Sequence, residues 1–150
     1  MASIPRTPMI LGLLGLTPFL WGALTSVLPM LMPAEGSFLF RYSGPEILVS
    51  AGRVILAFMS GILWGFASRA KGFDESLGYV LAVIPAIYVF LFADAQELQF
   101  TLGLLLFGFI FLLVLDRFFL MKSLAPDWWM RLRVPLTGIV CTCLALGLFA

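Results

Sequence analysis

The chain has 150 residues, 62% hydrophobic and only 11% charged, with a formal net charge of +1, no histidine and a mean hydropathy of +1.10. A soluble domain is roughly 45–50% apolar and about 25% charged, so a water-solvated fold is excluded, and the near-neutral balance offers no field for nucleic acid. Without histidine the chain builds no bis-His haem site, no His-ligated metal centre and no His-dependent catalytic triad.

Apolar runs of about 20 residues, the length that crosses roughly 30 Å of hydrocarbon, predict five transmembrane helices. They fall at Met9–Met32, Glu46–Ser68, Leu77–Ala93, Leu98–Leu120 and Val134–Ala150. The expected fold is therefore all-α: a polytopic five-helix bundle forming one integral membrane domain over residues 1–150. The first run follows Arg6, but it is too long for a signal-peptide core and no small-x-small cleavage site follows it, so it reads as a retained helix.

The second run carries the most specific internal pattern. Arg53, Ala57, Gly61, Gly65 and Arg69 recur every four residues, a stripe that is charged at both ends and flat in the middle. Gly61-Ile-Leu-Trp-Gly65 is a small-xxx-small match that lets a neighbouring backbone approach closely in lipid; its expected use is packing inside the bundle rather than a dimer contact. Arg53 lies seven residues past Glu46, about 10 Å along the axis, and an arginine within a span usually marks a paired or functional position. Two readings stand: snorkelling toward phosphates or toward the carboxylates of Glu46, Asp94 and Glu97, or a small polar pocket built from those four residues that holds an anionic group or a lipid head.

The third run, which contains Pro85, and the fifth are near 17 residues and are expected to stand almost upright. A tight hairpin, "ADAQELQ", joins the third run to the fourth. The fourth ends at Asp116-Arg117, which read as members of a boundary network. The next segment, "KSLAPDWWMRLR", places Trp128 and Trp129 where amphipathic rings prefer the interface, with Arg131 and Arg133 facing headgroups. Such a collar seats the protein; tryptophan and arginine also dominate interaction hot spots, so the same surface is a candidate partner site. Cys141 and Cys143, two apart on one helix, project roughly 200° from each other and suit neither one metal nor a mutual disulfide.

Counting Lys and Arg on alternate sides orients the bundle. Arg6, Arg69, Lys71, Arg117, Lys122, Arg131 and Arg133 share one side, against Arg41 on the other. The N-terminus is expected in the cytoplasm and the C-terminus on the opposite face.

Several segments together resemble the transmembrane protein 69-like family, also catalogued as domain of unknown function 3429. They are "LGLLGLTPF" at Leu11–Phe19, "VILAFMSGILWG" at Val54–Gly65, "VIP" at Val83–Pro85, "LLVLDR" at Leu112–Arg117 and "LAPDWWMRLRVPLT" at Leu124–Thr137. The resemblance spreads over all five runs and implies a small multi-pass protein of the bacterial inner membrane, with mitochondrial relatives, and no established activity. The chain departs from the family pattern at Leu63, where a basic or histidine residue often precedes Trp-Gly, and at Arg53, where a small residue is usual.

No catalytic, cofactor-binding or metal-ligating constellation emerges from the sequence. The expected function is a non-catalytic accessory or assembly subunit of a larger inner-membrane complex, respiratory or photosynthetic, whose partners are the lipid bilayer and either another membrane protein or further copies of itself. The alternative is a small permease or lipid- or anion-handling protein working through the polar cluster around Arg53.

Overall fold

The structure, a computed structural model, describes residues 3–71, 73–92 and 97–150. Among these residues the fold is all helical: α1 (Arg6–Gly15), α2 (Thr17–Val27), α3 (Gly44–Ala67), α4 (Phe73–Phe92), α5 (Leu98–Met121) and α6 (Trp129–Phe149), with short 3-10 turns at Pro29–Leu31 and Phe40–Tyr42. Taking α1 and α2 together as Arg6–Val27, five helical stretches are long and apolar enough to cross a membrane.

Three boundaries differ from expectation. The first stretch breaks at Leu16 and stops at Val27, short of Met32. Pro18 causes the break, because it has no N–H for the Leu14 carbonyl and its ring crowds the preceding turn. Thr17 Oγ1 donates to that same carbonyl at 2.7 Å, so the residue beside the proline satisfies the acceptor that the proline abandons. The third stretch runs over Phe73–Phe92 and passes through Pro85 without interruption. Across the helix interface Ser60 Oγ donates to the Ala82 carbonyl, in the turn that Pro85 loosens. The fifth begins at Trp129, five residues before the expected Val134, and this shift moves charges into the bundle.

The core forms where α3 and α5 pack against α2, α4 and α6. On α5 the inward residues are Thr101, Leu102, Leu105, Gly108, Phe109, Leu112, Leu115, Asp116 and Phe119, the three-and-four spacing of a single helix face. Close approach depends on glycines other than those of the predicted stripe. A Cβ at Gly22 would stand 2.8 Å from Leu48 Cγ, one at Gly52 2.9 Å from Leu105 Cδ1, and one at Gly108 2.7 Å from Leu56 Cδ2. By contrast α1 buries none of its residues and packs chiefly against α2 and α6.

Two ends of the bundle are tied differently. At one, Trp21 Nε1 donates to the Tyr42 carbonyl at 2.9 Å and Thr25 Oγ1 accepts from the Gly44 N–H at 2.7 Å, fixing the α2–α3 link to α2. At the other, which we call the basic end, an Arg69 guanidinium N–H donates to the Leu124 carbonyl at 3.2 Å and joins the α3–α4 and α5–α6 links. Ser123 there adopts φ 58°, while its N–H reaches the Leu120 carbonyl and the Leu124 N–H reaches that of Phe119. This is a Schellman ending, with serine where glycine is usual and with Leu124 closing over Phe119.

Candidate functional site

Starting α6 at Trp129 sets its inward face: Trp129, Leu132, Arg133, Thr137, Val140, Cys143 and Leu144 are buried, while Arg131 and Val134 point out. On α5 the same logic turns Asp116 inward and Arg117 outward. The result is a buried triad. Arg133 Nε donates to Asp116 Oδ2 at 2.8 Å, and Trp129 Nε1 donates to Asp116 Oδ1 at 2.7 Å. Asp116 is 0% and Arg133 6% exposed. The Trp129 ring also stands edge-on to Phe66 at 5.0 Å between centroids, coupling the triad to α3.

The expected collar is therefore divided. Arg117 and Arg131 are exposed and Trp128 is half-buried, where a seating role remains open to them. Asp116, Trp129 and Arg133 are inside the bundle, so they neither face headgroups nor offer a partner surface. A charge pair in low dielectric is retained when each charge has its partner and its hydrogen bonds; here both carboxylate oxygens are occupied by donors from α6. The i,i+4 spacing of Trp129 and Arg133 was the available signal. What concealed it was the charge itself, which reads as a helix boundary until its partner is known.

The stripe on α3 is also corrected. Ala57, Gly61 and Gly65 are exposed, and a Cβ built at Gly61 or Gly65 meets nothing within 4 Å. They do not pack inside the bundle. They form a flat outward strip beside exposed Val54, Phe58 and Trp64. Leu63, on the opposite side of α3, is fully buried, so this position puts an apolar group in the core.

The residues of the predicted polar pocket are distributed near the end opposite the basic one. Arg53 is half-buried on α3, Glu46 is exposed in the first turn of the same helix, and Glu97 is exposed at the start of α5. Asp94 lies outside the described residues. Cys143 is buried and Cys141 half-buried, both as free thiols. Among the described residues no group of three or more His, Cys, Asp or Glu side chains is placed to hold a metal ion.

With this geometry in view, the comparison with known families is decisive on one point. A family model described as protein of unknown function, DUF3429, matches residues 4–149. The chain belongs to the DUF3429 family. Both the buried triad and the open strip fall within the matched span. No curated protein and no solved structure matches the chain.

Proposed function

We propose that this DUF3429 protein is a non-catalytic subunit of a larger membrane complex, held to its partner by the outward strip of α3. The observation that carries the reading is the open space over Gly61 and Gly65. Lipid gives a helix little reason to keep glycines on an outward face, where each weakens the helix by up to about 1 kcal/mol relative to alanine. A partner helix supplies the reason, because small residues let two backbones approach and gain dispersion contacts. Gly22, Gly52, Gly108 and Gly147 sit where neighbouring side chains fill the space, whereas Gly61 and Gly65, like Gly15, Gly103 and Gly138, lack the neighbour; of these open helical glycines, Gly61 and Gly65 are the pair spaced four apart on one helix. The buried charges support the same reading, since both oxygens of the Asp116 carboxylate are taken up in joining α5 to α6.

The membrane proposed is the bacterial inner membrane, with the basic end in the cytoplasm. Seven of the nine basic residues in the chain support that orientation and Arg41 opposes it. A reporter fused after Ala150 is then active only outside the cytoplasm.

The proposal is tested by gentle detergent extraction of the tagged chain, followed by sizing and mass spectrometry. A stoichiometric second protein is expected with the wild type and is lost in a Gly61→Leu/Gly65→Leu variant of equal abundance. A wild-type chain that elutes alone, or only with copies of itself, overturns the accessory reading.

A further inference from the structure

Between α1, α3 and α6 lies a cavity of about 280 Å³. Its origin is the break at Pro18: α1 leaves the axis of α2, touches α6 through Gly12 and Leu136, and stands away from α3. The mouth is flanked by Leu11 and Phe58, both exposed, and the floor is made by Phe19 and Phe109, both buried. The walls are almost wholly apolar. Two polar residues belong to them, Arg133 and Thr137, one turn apart on α6, with Arg133 Nη2 and Thr137 Oγ1 just beneath the wall rather than open to the cavity.

Both are more than nine-tenths buried, and among the described residues neither Arg133 Nη2 nor Thr137 Oγ1 has a hydrogen-bond partner. The second fact is unusual in its setting. Thr25, Ser26 and Thr142 each turn their hydroxyl back to a carbonyl of the preceding turn, the ordinary solution for such residues in a helix. Thr137 does not. A buried donor left without an acceptor is destabilising, and no backbone or side-chain acceptor in the described bundle relieves either one.

We propose that this cavity binds a neutral, membrane-soluble molecule whose carbonyl oxygen draws Arg133 Nη2 and Thr137 Oγ1 out of the wall by side-chain rotation and accepts hydrogen bonds from both, while its apolar body lies between α1 and α3. An acyl chain alone would fill the volume and leave both donors unsatisfied. Water would satisfy the donors but bury none of the apolar walls. A carboxylate would satisfy both, yet it would add an uncompensated negative charge beside a guanidinium already matched by Asp116 at 2.8 Å. A carbonyl brings lone pairs and no charge. Two sources share this chemistry, the ester of an acyl lipid and the ketone of a quinone ring. The site is independent of the outward strip on α3 and holds whether or not a partner protein binds there.

The test uses the full chain purified in a maltoside detergent, which has no carbonyl. Hexadecane, palmitate, methyl palmitate and a decyl-substituted benzoquinone are titrated separately and read by native mass spectrometry and by Trp129 fluorescence. Methyl palmitate, the quinone, or both are expected to bind at least tenfold tighter than hexadecane and palmitate; which of them binds identifies the source. Thr137→Val keeps the shape of the wall and removes its hydroxyl, and is expected to weaken binding about fivefold to tenfold. Gly15→Leu projects from α1 into space where a Cβ meets nothing within 4 Å and is expected to abolish binding with an unchanged melting temperature. The proposal is overturned if neither carbonyl probe binds the wild type, if palmitate binds tightest, or if both variants bind like the wild type.

Discussion

Replacing Asp116 with leucine removes both acceptors of the buried triad at once. Arg133, 6% exposed, is left as an uncompensated charge, and the Trp129 indole N–H loses its partner. Breaking a buried pair from one side costs about 3–5 kcal/mol, so Asp116→Leu is expected in that range, and Arg133→Met, which strands the carboxylate, in the same range. In the double variant both charges are gone and the principal defect is the indole N–H, worth about 1–3 kcal/mol. Two independent changes would sum to about 6–10 kcal/mol; the double variant is expected to lie several kcal/mol below that sum. The assay is reversible unfolding in mixed micelles with increasing SDS, followed by helical circular dichroism and Trp fluorescence. A double variant that loses the sum of the two singles to within about 0.5 kcal/mol would refute the reasoning, because it would mean the charges do not depend on each other.

Three further outcomes follow from local geometry. Gly22→Ala drives a methyl to within 2.8 Å of Leu48 Cγ and should cost about 1–3 kcal/mol, whereas Gly61→Ala, into open space, should stabilise the isolated chain by up to about 1 kcal/mol; the same SDS titration compares them. Ser123→Gly relieves a left-handed backbone at φ 58° and should raise stability by up to about 1 kcal/mol, read as a higher melting temperature in detergent. Thr17→Val deprives the Leu14 carbonyl of its donor at 2.7 Å and should destabilise by about 1 kcal/mol, with amide hydrogen exchange in α1 accelerating before exchange elsewhere.

Much of the architecture was legible because bilayer thickness sets a length scale that apolar runs must meet. All five runs became helical stretches of crossing length, although the first, expected as one run, is broken at Leu16 beside Pro18. The start of α6 was not legible in the same way. A hydropathy window treats Arg131 and Arg133 alike, yet one is exposed and the other is matched by a carboxylate 17 residues earlier on a different helix. The direction of the α3 strip was hidden for a related reason. In water, inward and outward faces differ in polarity, whereas in lipid both are apolar, so Ala57, Gly61 and Gly65 mark a face without saying what it faces. The glycines that do pack inside, Gly22, Gly52 and Gly108, fall on no single repeating stripe.

The bond between Asp116 and Arg133 also bears on how the protein enters the bilayer. A lone arginine or aspartate carried into hydrocarbon costs about 2.5–3.5 kcal/mol at the centre of a helix and less toward its ends. Only seven residues, Lys122 to Trp128, separate α5 from α6, and Ser123 folds the first of them back against the end of α5. So short a link lets the two charges meet across a single hairpin. Entering the bilayer together, α5 and α6 would carry a charge pair already matched, whereas either helix entering alone would carry an unmatched charge into hydrocarbon.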